Sequence, residues 1–436
     1  MSSLPKSILL ILLFFILVTV GFYWLRPTPP ASDEEGFASD RPLHLLLVGD
    51  PFAYAIDNRL EYLSTLNDET MRLSIRRYSR TYETILSNHE DRESYYHLVS
   101  FDILWLPSLA QRGILEPLSI EELREFGFDP GDHHAITLTL NKLNGTLYGL
   151  PIQPHPELLW YRRDLLEEAG FSPPETTEEL ITQARHFHRP EDRFYGITWN
   201  ALRGQALGQT VTHLFAAFDC PIIDADHQLH VDCPAGEKVG NFLLELMEVS
   251  PPDILSMAWD QRIERFARGR SAFTYGWMAR NSRVERDPLS RVRGQVGYTL
   301  PPSSQRNNQA VPMGQWSLGI PANLSEDERE RALRALVSLV SDEADKILIQ
   351  EGFYGHHRSR GSTIEDKRTN DPGYEIVYQL LKEGNISKGA RPMIPQWADL
   401  AETLGLVFHD LIRGDIDLPQ TLEIAHQRLE EILPKP

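Results

Sequence analysis

The chain has 436 residues, of which 41% are hydrophobic and 24% are charged, a composition typical of a soluble globular protein with room for two or three domains. Its formal net charge of -19 argues against binding of nucleic acid and against docking on an anionic lipid surface, because both need clusters of Lys and Arg. A neutral or cationic small molecule is the kind of ligand that this charge favours.

The N-terminal region departs from this composition. Residues 8–25 form an uncharged, mostly apolar run of 18 residues, which as a helix would be roughly 27 Å long and could cross the core of a bilayer. Lys6 precedes the run, and three aromatic residues at positions 22–24 close it, as is typical of an interfacial anchor rather than of a cleavage site. We therefore predict a retained N-terminal transmembrane helix, with a cleaved signal peptide as the alternative.

Short polar segments flank the predicted helix. Residues 1–7 would form a cytosolic tail. Residues 26–42 are rich in Pro, Ser and acidic side chains and offer little apolar surface to bury, so they predict a flexible stalk. The folded body is expected to begin at Leu43.

The first part of the body predicts an α/β fold. Residues 43–48 and 103–106 are nearly continuous apolar runs, which indicate strands covered on both faces, and segments with helical periodicity follow them. Residues 147–152 and 157–161 predict two further strands, broken by the prolines between them.

Helix boundaries are marked by capping residues. Gly170 is expected to close a short helix, and Thr176 with Glu179 predicts a capping box at the start of the next one. An amphipathic segment that begins near Trp397 is expected to end before Gly414 in the same way.

Six sequence motifs carry a family resemblance. They are FDILWLPSLAQRGILEPLS at 101–119, YGLP at 148–151, WYRRDLLEEAG at 160–170, PPETTEEL at 173–180, FARGRSAFTYGW at 266–277 and RPMIPQW at 391–397. In kind and order they resemble the extracellular solute-binding proteins of ABC importers, in the maltose-binding-protein-like group (family 1). Each motif is a loose pattern of common residues, but together they keep the family's order, and the resemblance covers roughly residues 43–433.

The resemblance implies a two-lobe, periplasmic-binding-protein-like α/β fold with three inter-lobe crossings, preceded here by the predicted transmembrane helix. Lobe I would comprise residues 43–150 and 315–358, lobe II residues 155–308 and 372–436, and the crossings would lie near 150–154, 309–314 and 358–372. A ligand is then expected in the crevice between the lobes, at the carboxyl ends of strands.

The candidate ligand-binding residues are aromatic or polar side chains at expected strand ends and crossings. They are Asp50, Tyr54, Trp105, Gln153, His155, Trp277, Arg280, Gln315, Trp316 and Trp397. A tryptophan ring suits a sugar, whose faces are apolar and whose rim carries hydroxyls. Trp277 and Trp316 follow expected glycine-containing turns and match positions that face the cleft in the family. Each tryptophan could instead pack under a loop, and Asp50 could instead cap the following helix.

A disulfide between Cys220 and Cys233, the only cysteines, is predicted from the segment CPIIDADHQLHVDC. The apolar residues on each side of its polar centre indicate a hairpin, and a symmetric register would place the two cysteines opposite each other. Two free buried thiols are the alternative.

No motif for nucleophilic, phosphate-loop or zinc chemistry occurs, and the histidine pairs lack the spacing of a zinc site, so neither a metal nor a cofactor is predicted. Asp50 and Glu157 are the only carboxylate pair that we could nominate for a glycosidase. We therefore expect a binding protein rather than an enzyme.

The resemblance implies a solute-binding subunit of an ABC importer, which closes two lobes over a small carbohydrate-like solute, either a saccharide or a polyol. Its partners would be permease and ATPase subunits on other chains. The body is expected in the extracytoplasmic, periplasmic space, tethered to the membrane by the N-terminal helix. The alternative is a sensory subunit that presents solute occupancy to a membrane receptor.

Overall fold

A computed structural model describes residues 41–224, 228–306, 308–351, 372–384 and 386–433. The predicted anchor at 8–25 and nearly all of the predicted stalk lie outside the described residues, as do residues 358–371 of the third predicted crossing. Within the described ranges, no helix is both long enough and apolar enough to span a membrane.

The strands alternate with helices along the chain, as expected for an α/β fold. The strands are β1 (Leu43–Val48), β2 (Met71–Arg76), β3 (Leu98–Asp102), β4 (Lys142–Leu143), β5 (Thr146–Leu147), β6 (Leu150–Arg162), β7 (Tyr195–Thr198), β8 (Ser271–Trp277), β9 (Val296–Thr299) and β10 (Met313–Gly319). The α-helices before β7 are α1 (Pro51–Asn58), α2 (Leu60–Thr65), α3 (Tyr78–Glu90), α4 (Leu106–Gln111), α5 (Ile120–Glu125), α6 (Ala135–Thr139), α7 (Arg163–Ala169) and α8 (Thr177–Phe187). The later ones are α9 (Gln205–Ala217), α10 (Pro234–Glu248), α11 (Trp259–Ala267), α12 (Ser282–Glu285), α13 (Glu326–Leu339), α14 (Asp342–Gln350), α15 (Pro372–Glu383), α16 (Trp397–Arg413) and α17 (Leu418–Ile432).

One sheet runs through the body in the order β2-β1-β3-β10-β6-β8-β7, with β9 also paired to β6. In its first half, β1 is parallel to β2 and β3, and β10 lies antiparallel between β3 and the beginning of β6. In its second half, the end of β6 is antiparallel to β8 and β9, and β7 is parallel to β8. Separate apolar clusters cover the two halves, so each half has its own core.

Strand β6 is one continuous strand of 13 residues, and the prediction of two strands broken by prolines was wrong. Pro154 and Pro156 pair with β10 on one side only, since β8 joins β6 only from Glu157 onward. A proline lacks the N–H that a second neighbour would need, so it is tolerated on the unpaired side of a strand. The prolines therefore lie where the strand passes from one half of the sheet to the other.

The strand predicted at residues 103–106 was placed too late in the chain. Strand β3 ends at Asp102, and the apolar residues 103–106 form a turn that enters helix α4, with the backbone N–H of Trp105 donating to the carbonyl of Asp102 at 2.8 Å. These residues are apolar because the turn is buried, and an apolar run alone does not distinguish a buried strand from a buried turn.

The helix caps predicted at Gly170, Thr176 and Gly414 are confirmed. Gly170 and Gly414 end α7 and α16 in the left-handed region, with φ of 70° and 80°. At the start of α8, the N–H of Glu179 donates to Thr176 Oγ1 at 3.2 Å, while the Glu179 carboxylate accepts from the N–H of Thr176 at 3.3 Å. Such a cap contributes about 1 kcal/mol to the stability of the folded protein, and it depends on two residues three positions apart, so it can be predicted from the sequence.

Cys220 and Cys233 are bonded to each other in the structure, with their Cα atoms 7.0 Å apart. Ile223 and Leu229 form an antiparallel bridge between them, and the N–H of His230 donates to the carbonyl of Ile222 at 2.8 Å. The cysteines thus close a hairpin-like loop whose register is offset by one residue from the symmetric pairing of the two cysteines, and residues 225–227 at its tip lie outside the described ranges.

Candidate functional site

A cavity of about 470 Å³ lies where the carboxyl ends of β1, β3 and β8 face one another across the cleft between the two halves of the sheet. Its lining includes Asp50, Arg77, Tyr78, Asp102, His155, Gln205, Gln209, Trp259, Asp260, Gln261, Trp277, Arg280, Trp316, Arg391 and Trp397. Strand ends leave backbone and side chains free to face a ligand, which is why open α/β sheets bind at this edge.

Asp50 is the central carboxylate of the cleft. It stands at the N-cap position of α1, but its side chain makes no capping hydrogen bond. Instead, Oδ2 accepts from Trp316 Nε1 at 2.6 Å, and Oδ1 lies 3.4 Å from Nη2 of Arg280, which also donates from Nε to Asp260 at 3.0 Å. Asp50 is only 2% exposed, so both charges need these partners.

A second carboxylate of the cavity lining, Asp102, stands at the end of β3 and binds another arginine. Its Oδ2 accepts from Arg391 Nη2 at 3.0 Å and from the Tyr78 hydroxyl at 3.1 Å. Burial raises the pKa of Tyr78 well above its usual value, and the neighbouring Asp102 carboxylate raises it further. Tyr78 is therefore a neutral hydrogen-bonding group over the whole physiological pH range.

The walls of the cavity are aromatic. The ring of His155 lies between those of Trp277 and Trp316, with centroid distances of 5.6 Å to each, and its Nδ1 lies 2.7 Å from the carbonyl of Gln153. Burial lowers the pKa of His155 to about 4, although Asp50 opposes the shift, so the ring is neutral near pH 7. The guanidinium carbon of Arg391 lies 4.9 Å from the Trp277 centroid, as in a cation–π contact.

Glycines shape these walls through close packing rather than through turns. The expectation that Trp277 and Trp316 follow glycine-containing turns was wrong, because both residues lie in strands, β8 and β10. A Cβ at Gly276 would collide with the Trp160 ring, and one at Gly314 would collide with His155. The missing side chains let these two rings of the neighbouring strand β6 approach β8 and β10 closely.

Helices α9 and α16 contribute the remaining wall. A Cβ at Gly208 would meet the backbone of α16, so this glycine allows the two helices to approach closely. The approach brings Gln209 of α9 to the cavity, where its Oε1 accepts from Trp259 Nε1 at 3.2 Å. Among the described residues no partner is found for the buried Gln209 Nε2, so this donor is available to a ligand.

Six of the ten predicted ligand residues line the cavity: Asp50, His155, Trp277, Arg280, Trp316 and Trp397. Four do not. Tyr54 is 53% exposed on α1, and Trp105 is buried behind the cavity, 4.5 Å from the Tyr78 ring. Gln315 points away from the cavity, because neighbouring strand residues face opposite sides of the sheet, and donates to the carbonyl of Thr137 at 3.0 Å.

Gln153 is the fourth predicted ligand residue that does not line the cavity. It is fully buried within the sheet, where its backbone pairs with that of Trp316. It contributes nothing to the cavity lining, although neither atom of its amide has a partner among the described residues.

Several cavity residues were missed from sequence, and two carried a usable signal. Asp102 is the last residue of a strand, much as Asp50 comes shortly after one, but the misplaced strand hid it. Arg391 begins the RPMIPQW motif. By contrast, Tyr78, Gln209 and Trp259 are brought in by helices and carry no local pattern that separates them from other polar or aromatic residues.

The nominated carboxylate pair does not face a common substrate position. Glu157 forms a buried ion pair with Arg262, and the two side chains are 3% and 1% exposed. Asp50 is held by Trp316 and Arg280. Both carboxylates are thus fixed by protein partners, an arrangement that suits binding more than acid–base chemistry.

Comparison with known proteins identifies the class. The model of the family described as bacterial extracellular solute-binding protein matches residues 98–346, more than half of the chain, and the protein belongs to this family. A mannitol-binding protein of Pseudomonas aeruginosa is 24% identical over 307 residues, which is 65% of this chain and 69% of the relative. A putative ABC transporter periplasmic-binding protein of Escherichia coli, YcjN, is 20% identical over 305 residues, which is 65% and 67% of the two chains.

Solved structures show the same mixed α/β, two-lobe fold. A solute-binding protein of an ABC transporter from Agrobacterium radiobacter, in complex with ribitol, aligns with a TM-score of 0.80 at 22% identity and covers 90% of this chain and 100% of that one. Maltose-bound MalE3 of T. maritima aligns with a TM-score of 0.75 at 20% identity, with the same coverage. At these identities the likeness establishes the fold alone.

Proposed function

We propose that this protein is the extracytoplasmic solute-binding subunit of an ABC importer and that it captures a small polyol or monosaccharide in the cavity between its lobes. The observation that carries the proposal is the cavity itself, in which the rings of Trp277 and Trp316 lie beside the fixed polar groups of Asp50 and Asp102. Such a site offers stacking surface for carbon atoms and hydrogen bonds for hydroxyls.

The size and charge of the cavity support a small neutral solute. A volume of about 470 Å³ is near the lower end of small-molecule pockets. Two ion pairs lie inside the cleft, Asp50–Arg280 and Asp102–Arg391. Within each pair the negative charge of the carboxylate balances the positive charge of the guanidinium, so the pairs add no net charge to the cavity. Ligands named for similar proteins include mannitol, ribitol and tagatose, each of which is a polyol or a monosaccharide.

Capture would proceed by hinge closure, with hinges at the crossing segments near 150–154, 309–314 and 358–372. The passage of β6 from one half of the sheet to the other at its prolines supports the first hinge. A ligand that contacts both lobes favours the closed state by its differential affinity for that state.

A panel of purified solutes tests the function. We expect ribitol, mannitol or tagatose to raise the melting temperature, since a ligand at about 100 times its Kd adds roughly 2.7 kcal/mol to stability. Maltose serves as a larger competitor, and the same samples should show no turnover of the sugar. A panel of polyols and sugars at millimolar concentration without any shift would contradict the proposal.

We also propose that residues 8–25 tether the body to the membrane, with permease and ATPase subunits on other chains. The uncharged run of 18 residues supports the tether. Full-length protein should remain with the membranes after carbonate extraction, and a soluble form that starts near residue 31 or later would contradict it.

A further inference from the structure

An arginine-rich stretch stands out against the acidic composition of the chain. Residues 262–293 contain nine arginines and three acidic residues, whereas the whole chain has a net charge of -19. Some of these arginines serve the cleft, as Arg280 does, or the buried ion pair, as Arg262 does. Others lie on the outside of lobe II and have no part in the proposed solute site.

Five arginines line a separate concave pocket of about 510 Å³ on lobe II. They are Arg193, Arg265, Arg268, Arg270 and Arg291. Arg265 lies on α11 and Arg268 is the C-cap residue of this helix. Arg270 follows the turn that ends the helix, and the other two come from neighbouring loops. The buried ring of Tyr195 also lines the pocket, 6.0 Å from the guanidinium carbon of Arg265.

The pocket carries an excess of positive charge. Arg265 pairs with Asp253 at 2.5 Å, and Arg268 approaches Glu264 at 3.5 Å. Within the described ranges, no carboxylate forms an ion pair with Arg193, Arg270 or Arg291. Asp253 and Glu264 are the acidic residues among the lining, so three guanidinium groups remain uncompensated.

We propose that this pocket is a second binding site and that it takes a small, soluble, phosphate-bearing molecule. Guanidinium groups match the oxygens of phosphate with paired, charge-assisted hydrogen bonds, and several of them converging on one pocket can neutralise a dianion or a more highly charged group. The pocket is concave and has the volume of a small-molecule site, whereas a flat arginine surface would suit a lipid membrane better.

The arginines of this pocket are separate from the solute cavity. Of the residues that line the pocket, Gln261 also reaches the solute cavity, but none of the five arginines does. A ligand here could therefore bind with or without a solute between the lobes, and binding at each site can be measured separately.

Calorimetric titration of the full-length protein with inorganic pyrophosphate tests the proposal. We expect saturable binding that weakens with added salt, and an increase of at least tenfold in Kd when Arg270→Gln and Arg291→Gln are combined. Both side chains are exposed, so the double variant should keep the melting temperature of the parent protein. If the double variant does not fold, Arg291→Gln alone should still weaken binding severalfold.

The matched control is Arg185→Gln, which removes an exposed arginine of the same lobe that pairs with Glu245 and Glu248. It should leave pyrophosphate binding unchanged. Equal weakening by the control and the double variant, or the absence of saturable binding, would overturn the proposal. Flotation with phosphatidylglycerol vesicles without pyrophosphate binding would also overturn it, in favour of a lipid surface. Polyol binding in the cleft should be unaffected by either variant, so the two sites fail independently.

Discussion

The carboxylate of Asp50 and the guanidinium of Arg280 form an ion pair across the cleft. Asp50 follows β1 and Arg280 follows β8, in different halves of the sheet, and 3.4 Å separates Oδ1 from Nη2. Because the two residues belong to different halves of the sheet, their contact would favour the closed state in the hinge motion that we propose. The hydrogen bond from Trp316 to the other oxygen keeps Asp50 correctly oriented for this contact.

Arg280→Gln should therefore weaken solute binding by roughly tenfold or more, since it removes an attraction that favours the closed state. Titration calorimetry with the best solute gives the Kd. Arg283→Gln, which removes an exposed arginine three residues further along, is the control and should bind normally. Unchanged affinity in Arg280→Gln would mean that the pair does not contribute to closure.

Trp277→Ala and Trp316→Ala should each raise the Kd by about thirtyfold, or 2 kcal/mol, if their rings stack on the solute. Solute binding should also change the tryptophan fluorescence of the parent protein. Trp160→Ala is the contrasting variant, because Trp160 is fully buried in an apolar cluster, and it should lower stability by about 3–5 kcal/mol. If the two cleft variants melt early yet bind normally, the rings are structural.

Gln209→Met should lower solute affinity roughly tenfold, with a loss of stability of about 1 kcal/mol. The buried Nε2 of Gln209 lines the cavity without a partner among the described residues, so its removal costs the complex a hydrogen bond that the empty protein does not make. The loss of Oε1 removes the acceptor of Trp259 Nε1 and lowers stability with or without a solute. Gln183→Met is the matched control, since Gln183 Nε2 donates to the carbonyl of Ser172 at 3.0 Å away from the cleft. The control should melt earlier and bind the solute normally. Normal binding by Gln209→Met together with weakened binding by the control would refute the assignment.

Stability should fall as the pH is lowered from about 6.5 to about 4, partly because of His155. Its pKa in the folded protein is about 4 because of burial, so in this range the unfolded chain takes up a proton that the folded protein does not. The contribution is on the order of 2 kcal/mol at pH 5. His155→Gln should reduce the loss of melting temperature between pH 7 and pH 5, and an unchanged pH profile would contradict the assignment.

His134 gives an internal comparison for that experiment. Burial lowers the pKa of His134 to about 4 as well, and Lys382 contributes. His134→Gln should reduce the acid sensitivity of stability in the same way but leave solute binding unchanged, because His134 does not line the cavity.

Cys220→Ser with Cys233→Ser should lower stability by about 3 kcal/mol, the value expected for a short closed loop. Thiol labelling of the unfolded, non-reduced parent protein should find no reactive group. Two labelled cysteines would show that the bond does not form in the isolated protein.

Local chemistry in the sequence determined the parts of the fold that depend on neighbouring residues. The caps at Gly170, Thr176 and Gly414 depend on contacts within a few positions, so the pattern alone placed them. The first strand and the aspartate that follows it were found for the same reason, because a buried strand is marked by its own apolar run.

The tertiary structure decided which of the candidate side chains meet. Alternation along β10 sends Trp316 into the cavity and Gln315 away from it, and only the register against β6 fixes which residue faces which side. Gln209 and Arg391 come from parts of the chain that are far apart in sequence, and the packing of α9 on α16 and the ion pair with Asp102 bring them together. Contacts of this kind depend on the whole core, and no local segment of the sequence encodes them.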